Sequence, residues 1–487
     1  MRLSSKTIKP FLGNGIIHFI GVGGIGMSGI CEILHNLGYN VQGSDSANNA
    51  NVQRLKSLGI KVIIGQKEEN VEDVEVIVKS SAIKDTNPEI IAGKERHIPI
   101  IQRAEMLAEI MRLKLSVAVA GTHGKTTTTS MVTSMFDAAN LDPTVINGGI
   151  INRYGTNAHL GEGDWLIAEA DESDGTFLKL PATVGIITNI DPEHMEHYGT
   201  FDVLKKSFRN FIENLPFYGF GVLCKDHPEV SALATTIKDR KVITYGIETQ
   251  ADVRAENIRI EKGSSTYDVE ISDKVKGGAR KIKNIHLPMP GQHNVLNSLA
   301  AISVAAELEF DNKTILNGFS KFQGIKRRFT KTGEYNGITI IDDYGHHPKE
   351  IAVTLKTAQD TVKDTKGNVI AVVQPHRYSR VKDLFSDFCS CFAFADEVIV
   401  SDIYEAGETP IEGIDRDALV DGIRKSGHKN VVPLKSKDEL PKIIKRDAKS
   451  GDVVVCLGAG SISLWANELP GQLKELKPES NGEAISA

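Results

Sequence analysis

Gly121, Thr122, His123, Gly124, Lys125, Thr126 and Thr127 follow directly on the apolar run Leu115–Ala120. A buried strand, a glycine turn and a helix start form an anion site. Backbone N–H groups converge there, and the helix dipole favours negative charge. Lys125 supplies a cation for phosphate, and the Thr126 hydroxyl is a hard oxygen suited to Mg²⁺. The general phosphate-loop pattern requires glycine where this chain has Val119, so the loop is a shortened variant. A plain strand-to-helix turn with a solvated lysine accounts less well for Gly-Lys-Thr-Thr straight after an apolar strand. The chemistry expected is use of a nucleoside triphosphate.

A second glycine turn, Gly21-Val22-Gly23-Gly24-Ile25-Gly26, follows the strand-like Gly15–Ile20. A helical pattern then runs to Leu37 and closes at Gly38, and a strand over Tyr39–Gly43 ends at Ser44 and Asp45. Asp45 lies 24 residues after Gly21, near the offset of an acid that faces a ribose hydroxyl. Alone, a G-x-G-x-x-G turn also serves helix–sheet packing. Together with the later loop, it suggests that one nucleotide provides energy and another is a handle on the substrate.

Other polar clusters sit where apolar runs end. Trp165–Glu169 leads into Ala170-Asp171-Glu172-Ser173-Asp174, and Val184–Thr188 leads into Asn189-Ile190-Asp191-Pro192-Glu193-His194-Met195-Glu196-His197. Glu169, at a strand end beside the phosphate loop, suits a metal. Asp171, Glu172 and Asp174 read as a solvated turn. His194 and His197 are spaced to share a helix face. Gly337–Ile341 leads into Asp342-Asp343-Tyr344-Gly345-His346-His347-Pro348. Val369–Val373 leads into Gln374-Pro375-His376-Arg377-Tyr378-Ser379-Arg380. Arg377 and Arg380 suit carboxylate or phosphate through planar forks.

The elements that must carry these clusters alternate strand and helix, as parallel α/β sheets do. Val74–Val78, Val398–Val400 and Val453–Leu457 are further strands. Residues 251–283 read as hairpins, Gly291–Asn297 opens a helix, and Gly324–Phe329 reads as a linker. A chain of 487 residues exceeds one compact core. The net charge of −6 argues against general nucleic-acid binding. Five scattered cysteines suit free thiols in a reducing cytosol. The N-terminal region has no signal-peptide pattern and no stretch long enough to span a bilayer, so a cytoplasmic location is expected.

These motifs, in this order, resemble the Mur ligases of bacterial cell-wall synthesis over nearly the whole chain. The resemblance is carried by Gly21–Gly29, Gly121–Thr127, Glu169–Asp174, Glu193–Met195, Gly291–Asn294, Arg327–Phe329, Asp342–Pro348 and Gln374–Tyr378. It implies an α/β fold of three domains. These are a Rossmann-like UDP-sugar domain over 1–112, a central phosphate-loop ATPase over 113–328 and a Rossmann-like domain over 329–475. Residues 476–487 read as a disordered tail. It also implies that L-alanine is joined to the lactyl carboxylate of UDP-N-acetylmuramate, in peptidoglycan precursor synthesis, through an acyl phosphate made from ATP. The partners are these three small molecules, with one or two Mg²⁺, in a monomer or homodimer.

By the same resemblance Lys125, Glu169 and His194 are catalytic, and Thr126, Glu169 and His194 face metal. Gly121–Thr127, Asn294, Arg328 and Asp343 contact ATP, with Arg328 preferred over Arg327 because it directly precedes Phe329. Gly21, Gly23, Gly24, Gly26, Ser44 and Asp45 form the UDP-sugar site. Tyr344, His347, His376, Arg377 and Arg380 form the L-alanine pocket. Several relatives carry a modified lysine fourteen residues after the histidine matching His194. That position here is Phe208, with Lys205 and Lys206 short of it. A relative that attaches a whole peptide shares several of the motifs. A nicotinamide oxidoreductase would leave the phosphate loop unexplained. An ATPase acting on a protein partner would hydrolyse ATP without small substrates.

Overall fold

A computed structural model describes residues 15–80, 82–261, 263–363 and 366–476. The tail expected from residue 476 therefore lies, apart from Leu476, outside the described residues. Two compact units are present. One takes the described residues up to Arg259, with Thr266–Pro288 and Asn294–Ile325. The other takes Ile260–Ser265, Met289–His293 and the described residues from Lys326 onward.

The first unit carries two sheets, apart from Ile260, Glu261, Ser264 and Ser265 at the ends of two strands, which fall in the second. In the smaller, β1 (Ile16–Ile20), β2 (Asn40–Asp45), β3 (Lys61–Ile64), β4 (Val74–Lys79) and β5 (Ile100–Gln102) run in the order β3-β2-β1-β4-β5. Every pairing is parallel. The strand expected to stop at Gly43 continues through Ser44 and Asp45, because those residues pair with Ile63 and Ile64 of β3. The short β3 had no distinct sequence signal. Placing β1 between β2 and β4 sets the Gly21 turn beside Asp45, since Ile20 is level with Ser44.

The larger sheet contains β6 (Leu115–Ala120), β7 (Thr144–Ile151), β8 (Thr156–His159), β9 (Trp165–Glu169) and β10 (Val184–Ile187). It continues with β11 (Phe220–Cys224), β12 (Lys241–Gly246), β13 (Val253–Glu261), β14 (Ser264–Ile271) and β15 (Arg280–Leu287). Their order is β15-β14-β13-β12-β11-β10-β6-β9-β7-β8, so the polar stretch expected as hairpins extends the sheet at one edge. The β6 residues Val117–Ala120 are fully buried, as a strand covered on both faces must be. The parallel register puts Val119 opposite Glu169 and Ala120 opposite Ile187. Three adjacent strand ends thus deliver the phosphate loop, the acidic run and Thr188–His194 to one rim, the edge where open α/β sheets bind ligands.

In the second unit, β16 (Thr330–Tyr335), β17 (Ile338–Asp343), β18 (Val369–Val373), β19 (Glu397–Val400), β20 (Val431–Pro433) and β21 (Val453–Leu457) form a sheet. Its order is β16-β17-β21-β18-β19-β20. All neighbours are parallel except β16 with β17. Inserting β21 between β17 and β18 makes a topological switch point, and the motifs after β17, β18 and β21 emerge there. Among the described residues, no helix is long and apolar enough to cross a membrane.

Candidate active site

The phosphate loop is held by the segment after β10. Asn189 accepts the His123 N–H through Oδ1 at 2.7 Å and donates from Nδ2 to the His123 carbonyl at 3.0 Å. Thr188 Oγ1 donates to the same carbonyl at 2.6 Å, and the Asp191 N–H donates to Thr122 Oγ1 at 2.8 Å. Gly121 has φ +129°, and a Cβ there would lie 2.1 Å from Thr188 Oγ1. Gly124, at φ +82°, precedes the Lys125–Ala138 helix, and a Cβ on it would meet Asn297 Oδ1 at 2.6 Å. Asn297 lies one turn after the buried Asn294 on the Gln292–Glu307 helix, a spacing legible in the sequence. The loop is therefore a backbone cradle that side chains would fill.

Lys125 folds back over this cradle. Its Nζ donates to Gly121 O at 2.6 Å, Thr122 O at 3.1 Å and Glu172 Oε1 at 2.9 Å. Burial works against its charge, but the carboxylates of Glu172, Glu169 and Asp171 outweigh it and raise its pKa above the ordinary lysine value. Glu172 is 2% exposed, which corrects its reading as a solvated turn residue. Asp171 is engaged elsewhere, with Arg103 Nη2 at 2.9 Å.

Glu169 Oε2 accepts the Gly148 N–H at 2.9 Å. A Cβ on Gly148 would lie 2.5 Å from Glu169, and one on Gly149 would lie 2.8 Å from the Thr126 methyl group. Two glycines thus let β7 pass close to both residues. The donors gathered there, a carboxylate and a hydroxyl, are the hard oxygens that Mg²⁺ prefers.

His194 differs from its expectation. It adopts a left-handed conformation, φ 58°, and precedes the four-residue helix Met195–Tyr198, so it shares no helix face with His197. Its Nε2 lies 3.9 Å from Glu193, and His123 Nε2 lies 3.6 Å from both Asp191 and Glu193. Phe208 is fully buried against Phe177, with ring centroids 5.3 Å apart. Lys205 pairs with Asp202 at 2.9 Å and Glu229 at 3.5 Å. Position 208 therefore offers apolar packing and no amine.

At the Gly21–Gly26 turn, Asp45 Oδ2 accepts the Gly23 N–H at 2.8 Å, and Oδ1 accepts that of Ala47 at 3.0 Å. Ser44 Oγ donates to the buried Glu89 at 2.7 Å. Arg103, which the sequence reading passed over as part of a charged helix, stands beside this turn. A Cβ on Gly26 would lie 2.9 Å from its Nη1.

The second unit gathers a separate cluster. Asp343 accepts the N–H groups of Phe329 and Gly345 at 2.7 and 2.8 Å, and the Thr354 hydroxyl at 3.2 Å. Arg327 donates to Gly458 O at 2.6 Å, while no hydrogen bond from the Arg328 guanidinium occurs among the described residues. Both guanidinium groups lie over the Tyr344 ring, at 4.8 and 5.3 Å. His347 caps the Pro348–Val362 helix, accepting the Lys349 N–H at 3.3 Å. His346 instead continues the aromatic line, 5.1 Å from Tyr344 and 6.0 Å from His376, whose ring stacks on Tyr404 at 5.5 Å. Arg380 Nη1 is 3.3 Å from His376 Nδ1. Burial, then His346, Arg380 and Arg377, push His376 down to about 4, so it is neutral at pH 7. Arg377 holds φ 69°, unusual for a residue with a side chain, and its N–H donates to Tyr404 O at 2.9 Å.

Three family descriptions match in succession: Mur ligase catalytic domain over 16–115, middle domain over 119–305, and the glutamate ligase domain over 327–460. A UDP-N-acetylmuramate–L-alanine ligase of Rhodospirillum rubrum is 58% identical over 95% of this chain and 96% of its own length. The chain belongs to the Mur ligase family. A Bradyrhizobium protein of the same name is 60% identical over 95% of this chain and 98% of its own. The crystal structure of the UDP-N-acetylmuramate-alanine ligase of Thermotoga maritima superposes with a TM-score of 0.80 at 28% identity, covering 94% and 99% of the two chains. A murein peptide ligase of Psychrobacter arcticus, at 22% identity and TM-score 0.69, shares the Mur ligase fold.

Proposed function

We propose that this chain joins L-alanine to the lactyl carboxylate of UDP-N-acetylmuramate, converting ATP to ADP and phosphate, in the cytoplasmic synthesis of peptidoglycan precursors. The observation that carries this reading is identity of 58–60% over 95% of the chain to Mur ligases of that name. The Lys125 loop and Glu169 at neighbouring strand ends agree with it.

The reaction brings two anions together, a carboxylate and a γ-phosphate. A carboxylate oxygen attacks the phosphorus and ADP leaves, giving an acyl phosphate. The alanine amine then attacks the acyl carbon, the tetrahedral intermediate collapses, and phosphate leaves with the former carboxylate oxygen. Backbone N–H groups of Gly121–Thr127 would cradle the triphosphate, and Lys125 would offset charge between the reacting anions. Thr126, Glu169 and His194 would hold Mg²⁺, which when bound neutralises phosphate oxygens. Gly21, Gly23, Gly24, Gly26, Ser44 and Asp45 are assigned to the UDP-sugar.

In the second unit, Arg377 and Arg380 suit the alanine carboxylate. His376, pushed down to about 4, stays neutral beside the two arginines and suits a hydrogen bond with the alanine amine; it is too weak a base to hold the proton that the ammonium group must lose. Phosphate release measured with each of the three substrates omitted in turn tests the assignment. Release should require all three, and release that ignores L-alanine would refute it.

A further inference from the structure

Lys125 has three ammonium hydrogens and three acceptors, Gly121 O, Thr122 O and Glu172 Oε1. Each of the other carboxylates that act on it has another partner: Asp171 has Arg103, and Glu169 has the Gly148 N–H. Glu172 differs. It is 2% exposed, and its second oxygen, Oε2, is buried with no hydrogen-bond partner among the described residues. Its backbone is anchored, since the Tyr198 hydroxyl donates to the Glu172 carbonyl. A buried carboxylate held in place, with one cation and an unused oxygen, is costly to leave alone.

We propose that Glu172 is a resident anion that holds Lys125 in the loop and competes for it with the incoming phosphate. A phosphate oxygen can engage Lys125 only by taking a hydrogen already used in the loop. Turning the ammonium outward strands the Glu172 carboxylate, so the ion pair weakens triphosphate binding. Glu172 is thus a positioning residue that sets how strongly Lys125 answers to ATP. This inference rests on reading residues 121–127 as the triphosphate site.

The test is calorimetric titration of the full chain and its Glu172→Gln variant with Mg·ATP, without the other substrates. The variant keeps shape and removes charge. It should bind ATP several-fold to about tenfold more tightly than wild type, because no internal anion remains to be displaced. Its melting temperature without ligand should fall, and ATP should raise that temperature more than in wild type. A purely structural residue would lower the melting temperature and weaken ATP binding together. Equal or weaker binding by Glu172→Gln overturns the proposal. Should that variant not fold, Glu172→Asp draws the charge back by one methylene and carries the same test: tighter binding supports the proposal, equal or weaker binding overturns it. Failure of the wild type to bind ATP would overturn both the proposal and the reading of the loop.

Discussion

Residues 21–26 and 121–125 both follow a buried parallel strand and open a helix, yet they are prepared for their anions in opposite ways. In the first turn a carboxylate already sits on the backbone, with Asp45 accepting the Gly23 N–H, and the cation beside Gly26 is Arg103 from a distant helix. In the second, the cation belongs to the loop itself, and a carboxylate from the neighbouring strand end holds it. The first arrangement fixes a backbone shape. The second holds a cation in an ion pair with a buried carboxylate. A turn that only grips a substrate needs shape, whereas a turn that takes part in phosphoryl transfer needs a movable cation.

The sharpest way to break this contrast is Lys125→Met. It should lower kcat by about a thousandfold or more, since it removes charge aimed at the transferring phosphate. UDP-sugar affinity, read by calorimetry, should hold. Equal loss at both sites would remove the distinction between the turns. Asp45→Ala should act in the reverse sense. With two backbone N–H groups unpaired, it should raise KM for the UDP-sugar by about tenfold or more and leave KM for ATP near wild type.

Gly124→Ala should cost about 1–2 kcal/mol in chemical unfolding, because φ +82° disfavours any Cβ, and Asn297 must also move. Glu397→Gln is the control away from both turns and should have the smallest effect. Burial and Asp447, against Arg446, raise Glu397 to about 7 from its ordinary 4.5. A carboxyl protonated in the fold and ionised when unfolded stabilises the fold below pH 4.5, and that contribution fades as pH rises through 7. The glutamine variant should therefore melt a few degrees higher than wild type at pH 8, change little at pH 5, and leave activity intact.

Much of the architecture was legible because parallel strands are buried on both faces. Val117–Ala120, Val369–Val373 and Val453–Leu457 are near-continuous apolar runs, and the first two end in the clusters Gly121–Thr127 and Gln374–Arg380. Some strands that escaped notice are short or polar, and Lys61–Ile64, Ile100–Gln102 and Thr156–His159 acquire their identity from a neighbour's hydrogen bonds; others, such as the buried apolar Phe220–Cys224, carried a signal that was passed over. The side chains beside the two turns that escaped notice share one cause. Glu172 reads as one acid in a charged run until Lys125 and Tyr198, both remote in sequence, bury it. Arg103 reads as part of a charged helix until the fold sets it beside Gly26. The adjacent His347 and His346 diverge because one caps a helix and the other faces His376.

The central claim is that the γ-phosphate held by the Lys125 loop passes to a substrate carboxylate. Transfer of oxygen isotope tests it most directly. UDP-N-acetylmuramate labelled with ¹⁸O in the lactyl carboxylate should yield inorganic phosphate carrying one labelled oxygen per turnover, because the bridging oxygen of the acyl phosphate departs with phosphorus. Unlabelled phosphate, with the displaced label released to water as the amide forms, would contradict the account.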